Sequence, residues 1–202
     1  MSTVPLPPLP PVPAPEEGYR PGGRSIADIL DREHRQLLAL LDQLTGPDAT
    51  PQEGLAVLTA ALSRHLSAEE QYLLPAVRAA LPAATERVDA VISADAGLLS
   101  ALKGVTDEAL TEVAERVRQH VDGVGALVTG LRAAATEEEL IRLGNRLEIA
   151  TEAAPTRPHP GTPATPPWNR IVEPAVGVVD KVLDAVTRRP TYLADLPEPP
   201  RD

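Results

Sequence analysis

The middle of the chain alternates apolar and polar residues with the period of an α-helix. In the segment SIADILDREHRQLLALLDQLT, which begins at Ser25, apolar side chains recur every three or four residues and so line one face of a helix. Later segments repeat this period, and several open with a residue that caps helices well, such as Thr85 or Thr136. The pattern predicts five helices, at about residues 25–45, 51–81, 85–103, 107–135 and 136–154.

The connections between the first four predicted helices are short, so consecutive helices should lie antiparallel. We therefore expect an all-α fold, in which an up-down-up-down four-helix bundle carries a fifth helix. A weak internal repeat favours this arrangement, because residues 33–41 resemble residues 94–102. In that repeat the first two helices are echoed by the next two, and His34 corresponds to Asp95.

Proline marks the limits of the helical region. Eight of the 23 prolines lie within residues 1–21 and eleven within residues 155–202, where they exclude long uninterrupted helices. We interpret residues 1–24 as a disordered Pro-rich arm, residues 25–154 as the bundle and residues 155–202 as a Pro-rich tail.

The tail contains one segment with the pattern of a short amphipathic helix, at about residues 172–188. Its apolar positions are Val176, Val179, Leu183 and Val186. We expect this face to pack on the bundle or on a second copy of the chain, which would give a homodimer. Docking of the terminal extensions onto a protein partner or a larger assembly is the alternative.

Composition and charge exclude several classes of partner and site. The formal net charge is −10 and no cluster of Lys and Arg forms a basic stripe, so we expect no nucleic-acid partner. There are no cysteines, so any metal must be held by His and carboxylate side chains. No apolar run reaches the length of a membrane span, and the N-terminus lacks the basic start and apolar region of a secretory signal. We therefore expect a cytoplasmic protein with no membrane partner.

Residues that can bind metals interrupt each of the first four apolar stripes. The interruptions are His34 on the first helix, His65 and Glu69 on the second, Asp95 on the third and His120 on the fourth. With a rise of about 1.5 Å per residue, all five can share one layer of the bundle. A buried, unpaired carboxylate costs several kcal/mol, so these groups must either share a cation or satisfy one another as a polar network. Imidazole and carboxylate without sulfur suit iron or manganese, with zinc as an alternative.

At these residues the sequence resembles the HHE cation-binding domain of the hemerythrin family. His34 matches the first His of the family pattern, and His65 and Glu69, within RHLSAEEQYLLP, match its first HxxxE motif. His120 matches the His of the second HxxxE motif. The resemblance covers roughly residues 25–160, and it implies a four-helix bundle that holds two irons.

Two positions depart from the family pattern. Asp95 stands where the third helix of the family carries a His, and Val124 stands where the second HxxxE motif carries its Glu. These departures imply a degenerate site, with one iron ion rather than the two of the family and with Asp95 as the weakest of the ligand candidates. Tyr72, one turn beyond Glu69, is placed to hydrogen-bond a bound ligand or a group behind the ligating side chains, and a half-exposed tyrosine that packs on the core is the equal alternative.

These observations predict a protein that binds non-haem iron and a small ligand such as O₂, NO or peroxide, without enzymatic turnover. The alternative is a metal-free helical scaffold, an interaction module or the cargo of a compartment, which kept the fold after the site decayed. The two hypotheses differ in whether the layer around His65 holds a cation.

Overall fold

The computed structural model describes residues 21–46, 51–106, 109–159, 169–187 and 189–192. All regular secondary structure in these ranges is helical, which confirms the all-α prediction. None of the helices in them is long and apolar enough to span a membrane. The elements are α1 (Ile26–Thr45), α2 (Pro51–Ala68), a π-helical segment (Glu69–Leu73), α3 (Leu74–Ala80), a 3₁₀ turn (Pro82–Ala84), α4 (Thr85–Leu102), α5 (Leu110–Ala134), α6 (Glu137–Ala153) and α7 (Asn169–Thr187).

The predicted disordered arm lies outside the described residues except for its last four. The tail is described in part, and α7 occupies the region where the amphipathic helix was expected. The assignment of these segments as separate units stays a prediction.

Two of the predicted helix starts carry the expected caps. The Ser25 hydroxyl accepts a hydrogen bond from the backbone N–H of Asp28 at 3.2 Å and so begins α1. Thr136 and Glu139 form a reciprocal capping box at the start of α6. These contacts satisfy backbone N–H groups that the first turn of a helix cannot pair internally.

The second long helix contains a wide turn beside the polar layer. The backbone N–H of Leu74 donates to the carbonyl of Glu69, five residues earlier, instead of to the usual partner four residues earlier. Pro75 follows directly, and it has no N–H and a ring that crowds the preceding turn. The π-helical segment accommodates this proline within a continuous helical path, and such segments occur often at functional sites.

The apolar core is divided into two clusters by the polar layer. In α1, Leu30 belongs to the first cluster and Leu37 to the second, with His34 between them. In α5, Val117 belongs to the second cluster and Val124 to the first, with His120 between them. Each cluster packs Leu, Ile, Val and Ala side chains, so the polar layer is covered by apolar side chains on both sides.

Helix α6 packs closely on α1, α2 and the π-helical segment. The approach is closest at Gly144, where an added Cβ atom would lie 2.2 Å from the carbonyl oxygen of Arg24 and 2.9 Å from the backbone nitrogen of Ile26. Asn145 donates a hydrogen bond to the carbonyl of Gly22 at 3.0 Å. The start of α1 is therefore fixed against α6, and α1 is the helix that carries His34.

Two buried aspartates hold helix α7 to residues 156–157. Asp180 accepts hydrogen bonds from the backbone N–H groups of Thr156 at 3.0 Å and Arg157 at 2.9 Å. Asp184 accepts from the side chains of Arg157 at 2.6 Å and Arg189 at 3.2 Å. Both carboxylates are paired, which offsets the cost of burying them.

Three of the four residues of the apolar face predicted for α7 point outward, and the fourth, Val176, is half-buried. Val179, Leu183 and Val186 are 58%, 45% and 77% exposed, so these side chains do not pack on the bundle. The physical reason is that the buried N–H groups of residues 156–157 need acceptors, and the aspartates of α7 provide them from the opposite face of the helix. Packing of the apolar face on a second copy of the chain stays a prediction.

We predict that Gly144→Ala lowers the free energy of unfolding by about 1–3 kcal/mol, because the new methyl group forces α6 away from the start of α1. Gly125→Ala is the matched control, since a Cβ atom there meets no neighbour within 4 Å. The control should raise the free energy of unfolding by about 0.5–1 kcal/mol, because Ala has a higher helix propensity than Gly. Urea unfolding of both variants measures the difference, and equal effects of the two substitutions would contradict the close approach.

Candidate metal centre

Four buried side chains meet in the polar layer. His34 comes from α1, His65 from the last turn of α2, Glu69 from the π-helical segment and His120 from α5. One donor atom from each lies within 4.8 Å of the donor atoms of the other three. The metal-binding residues that interrupt the apolar stripes of three different helices therefore converge on one point.

The spacing of most of these atoms is close to that of ligands bound to the same ion. His65 Nε2 lies 3.1 Å from His34 Nε2 and 3.3 Å from His120 Nε2. The Glu69 carboxylate lies 3.3 Å from the Nε2 atoms of His65 and His120 and 3.6 Å from that of His34. Two ligands at about 2.1 Å from the same ion, with bond angles between octahedral and tetrahedral, are about 3.0–3.4 Å apart.

Two further carboxylates accept hydrogen bonds from two of the imidazole rings on the side away from the centre. His120 Nδ1 donates to Asp95 Oδ1 at 2.7 Å, and His65 Nδ1 donates to Glu33 Oε2 at 2.9 Å. When Nδ1 carries the proton of a neutral imidazole, the lone pair is on Nε2, which in both rings faces the other donors. Carboxylates that orient ligating imidazoles in this way are a regular feature of protein metal sites.

The oxygens of Glu69 lack hydrogen-bond donors of normal geometry. Both oxygens are fully buried, and neither has a hydrogen-bond partner. Their nearest polar neighbours are the three imidazole nitrogens, which also face one another. A cation at the centre would satisfy all of these atoms at once, so the residues present fit a metal ion.

A profile of the hemerythrin HHE cation-binding domain matches residues 25–144, from the cap of α1 into α6. This chain belongs to the hemerythrin HHE family. Searches of curated proteins and of solved structures gave no significant match. The match spans all the residues of the layer, so the HHE domain and the buried cluster are the same part of the molecule.

In this HHE domain the structure separates the expected ligand candidates into two groups. His34, His65, Glu69 and His120 face the centre. Asp95 lies behind His120 and is not among the converging donors, and its direct coordination of a metal stays a prediction. Helix periodicity put Asp95 in the right layer, but it did not reveal that the imidazole of His120 stands between its carboxylate and the centre.

Tyr72 and Glu33 are the two residues near the site whose roles the sequence left open or missed. Tyr72 is half-buried and packs against the first apolar cluster, and its expected hydrogen bond to the site stays a prediction. Glu33 was not predicted, because it precedes His34 and lies off the apolar stripe of α1. The only signal for it was an acidic residue beside a core histidine, and such pairs are common on solvated helix faces.

The electrostatics of the HHE centre are set by burial and by the mutual proximity of its groups. Burial alone raises the pKa of Glu69, but the imidazoles of His65, His120 and His34 outweigh it and lower that pKa to about 2. Burial lowers the pKa of His120, but the carboxylates of Glu69 and Asp95 outweigh it and raise that pKa to about 9. At neutral pH the metal-free centre therefore contains ionised Glu69 and protonated His120, and a metal ion must displace that proton.

We predict that the metal-free protein loses about 1–3 kcal/mol of stability between pH 6.5 and pH 9. The pKa of His120 is raised from 6.5 to about 9 on folding, so its contribution is fully present below pH 6.5 and is lost as the pH rises through 9. Urea unfolding at several pH values, with a chelator present, measures this slope. His120→Asn should flatten the slope, and a flat profile for the wild-type protein would contradict the charge assignment.

Proposed function

We propose that this protein is a metal-binding member of the hemerythrin family that holds one non-haem ion, with iron as the preferred metal. The ligands in this proposal are His34, His65, Glu69 and His120. The observation that carries it is the buried Glu69 carboxylate, which faces three imidazole nitrogens and has no hydrogen bond of normal geometry to any of them. A cation at that point would be held by all four side chains at once.

The donor set supports one ion rather than two. The four converging atoms lie within 4.8 Å of one another, which is close to the span of a single coordination shell. Val124 is fully buried among apolar side chains and offers no ligand where the family has its second Glu. Asp95 and Glu33 are engaged by the outer nitrogens of His120 and His65. We therefore propose a degenerate, mononuclear form of the HHE centre.

The chemistry of the donors favours iron, with manganese and zinc as alternatives. Three imidazoles and one carboxylate without sulfur are typical ligands of these metals. Iron accepts up to six ligands, so four protein donors leave positions for water, O₂, NO or peroxide. When bound, iron would supply reversible binding of such a ligand. The residues of this chain would fix the open side of the ion and exclude bulk water through the apolar clusters on both sides.

Asp95 and Glu33 act as positioning residues in this proposal. Each carboxylate accepts the Nδ1 proton of one imidazole and so keeps its Nε2 atom directed at the centre. Asp95 is fully buried, whereas the Glu33 side chain is 20% exposed. Glu33 therefore contacts both His65 and solvent.

A second candidate function is a metal-free scaffold or interaction module. Its support is that Glu69 and His120 carry opposite charges in the metal-free state and partly neutralise each other. The exposed apolar face of α7 would serve a protein partner or a second copy of the chain. The two candidates make opposite predictions about metal content.

We also propose the up-down-up-down path for the helices that surround the centre. The alternating order of the two apolar clusters supports it. Helices α1 and α4 run from the first cluster towards the second, whereas α2 and α5 run from the second towards the first.

We predict that the purified protein binds about one iron per chain after expression with added iron. The reason is that the centre offers one set of four converging donors. Elemental analysis measures the metal content, and the absorption spectrum reports whether an oxo-bridged pair is present. Two tightly held irons per chain would refute the mononuclear centre.

We predict that ferrous iron raises the melting temperature of the wild-type protein and has no effect on His65→Leu. A ligand that binds only the folded state must stabilise it, and the substitution removes one donor. His159→Leu is the matched control, because His159 is the one histidine outside the cluster and bonds Asp180 of α7. The control should keep the full response to iron.

Two outcomes of this melting experiment would count against the ligand assignment. If the wild-type protein does not respond to iron, manganese or zinc, the scaffold function is favoured instead. If His65→Leu still responds as the wild type does, His65 is not a ligand.

A further inference from the structure

A cavity of about 350 Å³ lies beside the metal centre, between α1, α2, α6 and the segment at residues 189–192. His65 and Glu33 line it, but the other three converging side chains do not. The cavity therefore faces the outer edge of the centre, and its volume lies within the range of small-molecule sites in proteins.

One wall of this cavity contains a buried cation with an unsatisfied donor. Arg64 is 6% exposed, and its Nη2 atom donates to the carbonyl of Thr191 at 2.6 Å. Its guanidinium lies 4.4 Å from the centre of the Tyr192 ring. Its Nη1 atom is buried and has no hydrogen-bond acceptor. Among the described residues, no carboxylate lies within salt-bridge distance of Arg64.

The acidic residues that line the cavity are already engaged by other groups. Glu33 accepts a hydrogen bond from His65 Nδ1 at 2.9 Å. Glu152 pairs with Lys181 at 2.9 Å and accepts a hydrogen bond from the Tyr192 hydroxyl at 3.3 Å. Of the charged residues that line the cavity, Arg64 is therefore the one without a paired opposite charge, and an anionic group in the cavity would supply that charge.

The rest of the wall is mainly apolar. Leu37 and Leu40 of α1 and Ala61 of α2 line the cavity together with the Tyr192 ring, and Gln36 and Thr151 are its uncharged polar residues. We infer that this cavity binds a small monocarboxylate, with its carboxylate on Arg64 and its alkyl chain against the apolar side chains. This site adjoins the proposed metal site and shares His65 with it, but the carboxylate is placed on Arg64, so its occupation does not require a bound ion.

The test is calorimetric titration of the full-length protein with a series of straight-chain monocarboxylates from acetate to octanoate, at constant ionic strength. Affinity should rise by about four-fold for each methylene group until the chain fills the cavity. Hexanamide and hexylamine are the neutral and cationic probes of matched length, and both should bind at least ten-fold more weakly than hexanoate. Titrations with and without added iron should agree, so the result is independent of the metal proposal.

Three variants assign the binding to this cavity. Arg64→Gln should weaken hexanoate binding at least ten-fold, because it removes the charge-assisted hydrogen bond. Arg118→Gln is the control, since Arg118 is an exposed arginine that contacts Asp42 elsewhere on the surface. Ala61→Leu fills the cavity but keeps Arg64, and it should abolish binding, with circular dichroism and melting to verify folding.

The inference is wrong if no member of the series binds the wild-type protein with at least millimolar affinity. It is also wrong if hexylamine binds more tightly than hexanoate, because the cavity would then select cations. Binding that persists unchanged in Ala61→Leu would assign the carboxylate to another part of the surface and would equally overturn it.

Discussion

The burial of the Glu69 carboxylate at the centre of the helices is the constraint on which the rest of the structure depends. An ionised carboxylate out of contact with water is unstable by several kcal/mol unless positive charge and hydrogen-bond donors surround it. Here three imidazoles from three helical segments surround it, and two outer carboxylates orient two of the rings. The layer can therefore exist only if the helices that carry these residues are held at one relative depth.

The apolar clusters and the close packing of α6 provide that fixed depth. Each helix of the layer enters one cluster before its polar residue and the other cluster after it, so sliding a helix would bury the polar group in a purely apolar region. Gly144 lets α6 touch the start of α1, which restrains the helix that presents His34. Stability and site geometry thus have the same structural origin.

The sequence predicted the converging residues well because helical periodicity is a strong signal in this chain. His34, His65, Glu69 and His120 each interrupt an otherwise apolar stripe, and a buried interruption needs a partner. Periodicity does not specify the direction of a side chain within a layer, so it did not show that Asp95 lies behind His120. Glu33 lies off the stripe, and only the three-dimensional contact with His65 identifies it.

The helix of the tail illustrates a different limit of sequence reasoning. Its apolar spacing correctly predicts that α7 is a helix, but the choice of the face that packs inward depends on what the neighbouring surface requires. Residues 156–157 present buried N–H groups, and Asp180 and Asp184 supply acceptors for this region. Specific hydrogen bonds therefore outweigh the hydrophobic pattern at this position, and no periodicity argument contains that information.

The central claim is that one metal ion is held by three imidazoles and the Glu69 carboxylate. X-ray absorption spectroscopy at the iron edge, on the iron-loaded full-length protein, tests it most directly. The account predicts a shell of nitrogen and oxygen ligands at about 2.0–2.2 Å, with the outer scattering of three imidazoles and no iron–iron scattering. An iron–iron vector, or a shell without imidazole scattering, would contradict it.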